Sequence, residues 1–181
     1  ALNRQEQKAL WINLYNAVTL KVVLEHYPVK SIRDIKLSRG LRNSGPWDAA
    51  LIEVEGEEIS LNDIEHRILR PIWMDNRIHY AVNCASMSCP NLHIEPYTAA
   101  NTDSILDEAA SDYVNHRRGV SFDGGKLVVS SIYSWYADDF GGNDRGVLDH
   151  LAEYAVPDLA ARLGTYTGKI RDDYDWSLNE R

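Results

Sequence analysis

The sequence predicts a single α+β domain over residues 1–181, with helices packed on an antiparallel sheet. Three observations support this class. A long helical pattern opens the chain, short alternating segments typical of hairpins follow it, and no repeat, low-complexity tract or linker divides it. The length of 181 residues suits one domain, and the 44% of apolar residues can fill a core.

The longest predicted helix covers residues 4–26, and Pro28 ends it. Its apolar residues recur with the helical period and predict a stripe that packs against the sheet. That stripe comprises Leu10, Leu14, Ala17, Val18 and Leu24. Asn13 and Asn16 share one face of the same helix. Asparagine is a poor interior helix residue, so two interpretations stay open: the amides bond neighbouring loops or water, or they point into a pocket.

Residues 28–48 predict a connection, with a short turn capped by Ser31 and another turn over residues 43–47. Residues 51–59 alternate apolar and acidic side chains around Gly56, which predicts a small hairpin.

A second helix is predicted over residues 60–73, where Ser60 and Asp63 form a loose capping box. Its buried stripe comprises Leu61, Ile64, Ile68 and Leu69. We expect Glu65, Arg67 and Arg70 to lie largely off this stripe and His66 near its edge.

The reactive side chains concentrate in the middle of the sequence. Residues 77–83 predict a buried central strand, and residues 84–90 predict a loop of small residues. Both cysteines, Cys84 and Cys89, lie in the loop, and His79 lies in the strand. A buried strand that delivers a polar loop is a common way to present reactive groups on a rigid support, so we expect the functional centre here.

The remaining chain predicts a helix over residues 104–117 and a hairpin over residues 120–131. An aromatic helical turn over residues 131–142, an amphipathic helix over residues 145–163 and a short strand within residues 169–181 complete the pattern.

Composition argues against several functions. The net charge of −8, from 19 basic and 27 acidic residues, offers nucleic acid no favourable surface. No run of about 18 apolar residues exists, so no membrane span is predicted. The sequence predicts no cofactor. The opening residues are not typical of a signal peptide, and we expect that an upstream targeting segment has been removed.

Cysteine and histidine together indicate nucleophilic catalysis, because a histidine stabilises a thiolate and then moves its proton. Cys84 and Cys89 are the candidate nucleophiles, and His79 and His66 are the candidate bases. Glu65 is the preferred residue to orient the base. Cys84 is favoured over Cys89 because the turn after it can offer backbone amides to an anion.

Other interpretations of these residues stay open. The two cysteines could pair as a disulfide or be buried bystanders. They lack the short spacing of zinc ligands, so no metal is predicted, although His79 and His93 flank them. Asp138 and Asp139, beside Trp135, have the acid-plus-aromatic composition of sugar sites.

Five motifs resemble, in this order, the domain of unknown function 547 family. They are ALWINLYNAVTL, ISLNDIEHRILRP, RIHYAVNCASMSCPNL, SSIYSWYADDFGG and YDWSLN. The resemblance spans about residues 6–179, in a family whose activity is not established. It also implies a distant similarity to papain-like and transglutaminase-like cysteine enzymes, in which a cysteine, a histidine and an acid or amide share a cleft between a helix and a sheet.

The resemblance adds Tyr15 and Asp139 to Asn13 and Asn16 as binding candidates. In the papain-like enzymes a helix presents the nucleophile, whereas the corresponding helix here carries asparagines and no cysteine. Either the nucleophile has moved to the Cys84 loop, or the fold persists without the chemistry. Bacterial members of the family are often exported, which implies a periplasmic or secreted location.

Two functions follow from these residues. The first is a cysteine-dependent hydrolase or acyl transferase, whose partner is a peptide, isopeptide or small-molecule amide. The second is a non-catalytic peptide- or glycan-binding domain that retains a degenerate cleft. A catalytic thiol beside a histidine should alkylate quickly near neutral pH, which a buried or disulfide-bonded thiol should not do. The sequence leaves the oligomeric state open.

Overall fold

The computed structural model describes residues 1–37 and 45–180, so the predicted turn over residues 43–47 lies partly outside the described residues. It confirms the α+β class. The helices are α1 (Arg4–His26), α2 (Arg70–Trp73), α3 (Thr102–Val114), α4 (Ile132–Trp135), α5 (Asp144–Tyr154) and α6 (Pro157–Gly164). The strands are β1 (Ile52–Val54), β2 (Glu57–Ile59), β3 (Val120–Asp123), β4 (Lys126–Ser130) and β5 (Arg171–Asp173). Short 3₁₀ helices cover Ile32–Asp34, Asn76–Tyr80 and Ala137–Phe140, and a π-helix covers Asp63–Leu69.

The strands form two small sheets within the described residues. β1 and β2 make the first predicted hairpin, with Ile52 opposite Ile59. β3 and β4 make the second, and β5 pairs in parallel with β4. The two hairpins therefore lie in separate sheets, one antiparallel and one mixed. The sequence had instead predicted a single antiparallel sheet. Among the described residues, none of the helices combines the length and apolar character needed to cross a bilayer.

The predicted first helix is confirmed as α1, but its predicted stripe is wrong except at Val18, which is buried. Leu10 and Ala17 are exposed, Leu24 is 72% exposed, and Leu14 is half-buried. The buried face comprises Lys8, Ala9, Ile12, Tyr15, Asn16, Val18, Thr19, Val22 and Val23. It packs on the π-helix and α3 rather than on a sheet. Three residues on this face, Lys8, Asn16 and Thr19, are polar, so the hydropathy pattern does not identify the face as buried.

The strand predicted over residues 77–83 is wrong, because this segment begins as a 3₁₀ helix over Asn76–Tyr80. A short buried apolar run fits a strand or a buried helical turn, and its period alone cannot separate the two. The segment lies between two hydrophobic clusters: Ile78 packs in the cluster that contains the buried face of α1, and Tyr80 packs in the cluster that contains α5. Burial on both sides holds the segment, and the cysteines that follow it, in a fixed position.

The second predicted helix is π-helical over Asp63–Leu69, where the amide of Arg70 donates to the carbonyl of Glu65 five residues earlier. Glu65 is buried, so the expectation that it lies off the stripe is wrong: it is four residues from both Leu61 and Leu69 and shares their face. Ile68 is only half-buried.

The helix predicted over residues 145–163 is likewise divided into α5 and α6. Pro157 occupies the first turn of α6, where a proline fits the start of a helix and lacks the amide needed to continue one.

His150 on α5 makes the stability of the protein depend on pH. Its Nε2 lies 2.6 Å from the hydroxyl of Tyr80, and burial lowers the pKa of His150 to about 4. The unfolded chain keeps the ordinary pKa of about 6.5, so it binds the proton first as the pH falls. We expect the free energy of unfolding to fall by about 2 kcal/mol between about pH 6.5 and about pH 5, and to fall less in His150→Gln. Urea denaturation at each pH measures this, and equal slopes in the two proteins would contradict it.

Candidate functional site

A cavity of about 470 Å³ lies beside the segment that carries the cysteines. Five predicted site residues line it: Tyr15, Glu65, His79, Cys84 and Cys89. Much of the remaining wall is aromatic and comprises Trp47, Trp135, Tyr136, Tyr174 and Trp176. α1, the π-helix and the cysteine loop thus meet residues from the C-terminal third of the chain at one place.

Two asparagines fix the turn that carries Cys84. Asn16 donates to the carbonyl of Ala81 at 2.9 Å and accepts from the amide of Asn83 at 2.8 Å. The Asn83 side chain accepts in turn from the amide of Ala85 at 2.7 Å, which supports the left-handed conformation of Ala85, at φ 58°. The interpretation in which the Asn16 amide bonds a neighbouring loop is confirmed. Its role is to hold the backbone beneath the cavity.

Asn13 serves a different segment. Its Nδ2 donates to the carbonyl of Tyr97 at 2.7 Å, and its Oδ1 accepts from the amide of Tyr97 at 2.9 Å. Asn13 is not among the residues that line the cavity. The two asparagines share a helix face in the sequence pattern but brace two different parts of the chain.

The C-terminal segment closes the other side of the cysteine loop. A β-bridge joins Ser86 to Leu178, and the amide of Met87 donates to the carbonyl of Ser177 at 2.8 Å. This backbone pairing is what brings Tyr174 to the cavity, where its hydroxyl meets Cys84.

Cys84 has the surroundings of a nucleophile. Both cysteines are free thiols, and the Cys84 sulfur lies 3.2 Å from Ser86 Oγ and 3.1 Å from the Tyr174 hydroxyl. The pKa of Cys84 is lowered to about 7, first by a hydrogen bond from the Cys89 thiol and then by the two hydroxyls, against the opposite effect of burial. Burial raises the pKa of Cys89. The thiolate near neutral pH therefore belongs to Cys84.

His79 is held by a carboxylate on one side. Its Nε2 lies 2.7 Å from Asp139 Oδ2, and hydrogen bonds from His79 and Arg70 keep the pKa of Asp139 well below its usual range. An ionised carboxylate only accepts, so Nε2 is the donor. The other ring nitrogen, Nδ1, lies 3.7 Å from Glu65 Oε1, which is beyond hydrogen-bonding distance. Asp139, and not Glu65, thus orients the imidazole.

Tyr136 and Arg70 complete the support of His79. The rings of His79 and Tyr136 stack at 4.1 Å, and the Arg70 guanidinium lies 4.8 Å from the same tyrosine ring. Arg70 also donates to Asp139 Oδ2 at 2.6 Å. The stacking on Tyr136 therefore fixes the plane of the imidazole ring, and the hydrogen bond to Asp139 fixes the direction of Nε2 within that plane.

His66 and Asp138 lie in a second cavity and not with the cysteines. His66 Nδ1 is 3.0 Å from a guanidinium nitrogen of Arg70, and its ring lies 5.9 Å from that of Tyr136, so His66 adjoins the site through these two side chains. Asp138 and Asp139 do not form a carboxylate pair, because Asp139 is committed to His79 and Arg70. Within residues 1–37 and 45–180, no three His, Cys, Asp or Glu side chains are grouped so that they could hold a metal ion.

An aromatic wall, formed by Trp47, Trp135, Tyr174 and Trp176, adjoins the thiol. Trp135 and Trp176 stack at 5.4 Å, and Tyr174 lies within 4.8 Å of each ring. Trp135 remains 48% exposed, so it offers a free surface to a bound molecule.

Comparison with known proteins covers the half of the chain that holds the cysteines. The family model described as protein of unknown function, DUF547, matches residues 1–114. The chain belongs to the DUF547 family. No curated protein and no solved structure matches it. In this DUF547 chain, Cys84 and His79 fall inside the matched residues, whereas Asp139 and Tyr174 lie beyond them.

Sequence reasoning did not select Ser86, Tyr174, Trp176 or Arg70 as site residues. Tyr174 and Trp176 belong to the YDWSLN motif, which carries the family resemblance but does not indicate that this segment packs against the cysteine loop. The structure brings Arg70 to Asp139, which the helix predicted over residues 60–73 gave no reason to expect.

Proposed function

We propose that this protein is a cysteine-dependent hydrolase or acyl transferase that acts on a peptide, isopeptide or amide bond. Cys84 is the nucleophile, His79 is the acid and base, and Asp139 orients the imidazole. The observation that carries the proposal is a thiol of lowered pKa that shares a cavity with a histidine whose Nε2 is held by a carboxylate.

The first step is attack of the Cys84 thiolate on the carbonyl carbon of the substrate. His79 takes the proton that the Cys84 thiol gives up as it becomes a thiolate. The carbon–nitrogen bond then breaks, and the leaving amine takes this proton from His79, which leaves an acyl group on the sulfur. Water, or a second amine in a transferase, releases the acyl group. The nitrogen available for these transfers is Nδ1, because Nε2 is bonded to Asp139.

Tyr174 is the proposed donor to the oxyanion of the tetrahedral intermediate. Its hydroxyl is 3.1 Å from the attacking sulfur, and Ser86 Oγ is 3.2 Å from it. Burial raises the pKa of Tyr174, so the hydroxyl stays protonated and can donate. The amide of Cys84 is not free for this role, because it donates to the sulfur of Cys89 at 3.0 Å.

The aromatic wall indicates which part of the substrate lies beside the scissile bond. Exposed tryptophan rings bind flat or apolar faces, such as those of an aromatic or proline side chain or a sugar ring. We therefore place such a group next to the carbonyl that Cys84 attacks.

Alkylation by iodoacetamide tests the nucleophile. The rate in wild type should rise with a thiol pKa near 7 and disappear in Cys84→Ser, while Cys89→Ser should retain it because serine also donates a hydrogen bond. Tyr174→Phe should raise the observed pKa, since one hydroxyl donor is lost. An ordinary thiol pKa in wild type would count against the proposal.

Intact-mass measurement with amides of aromatic amines tests the reaction itself. We expect an acyl adduct on Cys84 in wild type and none in Cys84→Ser. The alternative function, non-catalytic binding of a peptide or glycan, is favoured by the exposure of Trp135. It predicts binding that Trp135→Ala abolishes, with no adduct in wild type.

A further inference from the structure

We propose that Cys84 and Cys89 form a site of reversible oxidation, in which a hydroperoxide converts the two thiols into a disulfide. The modification itself does not depend on the hydrolase proposal. The consequence of the modification does depend on the hydrolase proposal. If Cys84 is the nucleophile of an acyl transfer, the disulfide removes that nucleophile and the site becomes inactive.

The two cysteines are already in contact, and they differ in accessibility. The amide of Cys84 donates to the Cys89 sulfur at 3.0 Å, and the Cys89 thiol donates to the carbonyl of Val82 at 3.8 Å. Cys84 is half-buried at the cavity, whereas Cys89 is 2% exposed. An oxidant that enters from solvent therefore meets Cys84 first, and Cys89 stands behind it as a second thiol within the same turn.

Their ionisation supports the same division of roles. The pKa of Cys84 is lowered to about 7, and that of Cys89 is raised by burial. A hydroperoxide reacts with thiolate rather than thiol, so Cys84 reacts first. The Tyr174 hydroxyl lies 3.1 Å from the Cys84 sulfur and accepts from Ser86 Oγ at 2.9 Å, so its own hydrogen is placed to be donated to the oxygen that the sulfur acquires.

The chemistry balances in two steps. The Cys84 thiolate attacks the hydroxyl oxygen of the hydroperoxide and the O–O bond breaks, which produces a sulfenic acid on Cys84. The leaving alkoxide takes from solvent the proton that Cys84 released on ionising, and it departs as an alcohol. The Cys89 sulfur then attacks the Cys84 sulfur, the S–O bond breaks, and water leaves with the Cys89 proton. In total the dithiol loses two electrons and two hydrogens, and the hydroperoxide becomes an alcohol and water.

The surrounding contacts favour an internal disulfide over damage to the loop. Arg118 donates to the carbonyls of Met87 and Cys89 at 3.0 Å each, and Tyr113 donates to the carbonyl of Ser88 at 2.6 Å. These bonds hold the loop from outside the cavity and involve neither sulfur, so they can persist when the sulfurs join.

Treatment with a few equivalents of hydrogen peroxide, followed by intact-mass analysis and thiol titration, tests the proposal without any amide substrate. Wild type should lose both thiols and two hydrogens, remain monomeric on a non-reducing gel, and recover both thiols with dithiothreitol. Cys89→Ser should accumulate a sulfenic acid that dimedone labels on Cys84. Cys84→Ser should react at least tenfold more slowly, and circular dichroism of each variant shows that it is folded.

Three outcomes would overturn the proposal: oxidation of Cys84 to sulfinic acid without a disulfide in wild type, disulfides only between molecules, or equal oxidation of Cys84→Ser. Because the readout is the mass and thiol count of the protein, failure of this proposal is distinct from failure of the acyl-transfer proposal. A protein that forms the disulfide but never forms an acyl adduct would retain the oxidation site and lose the hydrolase assignment.

Discussion

Replacing His79 by alanine should lower the rate of amide hydrolysis by about 10²–10⁴-fold, the usual contribution of a positioned acid and base. The leaving amine would then have no protonated side chain to take its proton from. Alkylation of Cys84 should persist, because the causes that lower its pKa are Cys89, Ser86 and Tyr174 rather than the histidine. The measurement is the rate of acyl-adduct formation beside the rate of iodoacetamide labelling in the same samples.

Asp139→Asn should act through the histidine. It keeps the shape of the side chain but removes the negative charge that Nε2 faces at 2.7 Å, so hydrolysis should slow while labelling of Cys84 stays near the wild-type rate. His93→Ala is the control for His79→Ala, because the His93 ring hydrogen-bonds the backbone of its near neighbour Glu95 and is not among the residues that line the cavity. Hydrolysis by His79→Ala at the wild-type rate would remove the histidine from the mechanism.

The parts of this site that could be predicted from the sequence lie close together along the chain. Cys84, Cys89 and His79 fall within one short stretch, so their closeness in space did not depend on the predicted local conformation. Their predicted strand begins as a 3₁₀ helix, yet all three line one cavity, because the stretch is buried between two clusters.

The parts that could not be predicted depend on contacts between distant segments. Tyr174 reaches Cys84 because the C-terminal backbone pairs with the loop, and no periodic pattern encodes that pairing.

The wrong stripe on α1 has a related cause. Lys8 is buried because its ammonium lies 2.7 Å from Asp75, and Asn16 is buried because it bonds the backbone of the cysteine turn. A hydropathy pattern counts such polar residues as solvent-facing. Their hydrogen-bond partners are more than 60 positions away in the chain, so the local sequence does not show that they are buried. A buried polar side chain with distant partners therefore shifts the apparent face of a helix.

Replacing Asn16 by alanine should cost about 2–6 kcal/mol of the free energy of unfolding. The substitution leaves the carbonyl of Ala81 and the amide of Asn83 buried without partners, and each such group costs about 1–3 kcal/mol. The loss should also loosen the turn that carries Cys84, so the alkylation pKa of Cys84 should rise toward that of an ordinary thiol. Urea denaturation and iodoacetamide labelling measure the two effects.

Asn13→Ala is the matched control, because Asn13 also makes two hydrogen bonds to backbone, in this case to Tyr97. It should destabilise the protein, by less than Asn16→Ala since Asn13 is only half-buried, and it should leave the alkylation pKa of Cys84 unchanged. Asn16→Asp keeps the acceptor for the Asn83 amide and should fall between wild type and Asn16→Ala. If Asn13→Ala shifts the alkylation pKa of Cys84 as much as Asn16→Ala does, the effect is one of general stability. The hydrogen bonds between Asn16 and the cysteine turn are then not what determines the pKa of Cys84.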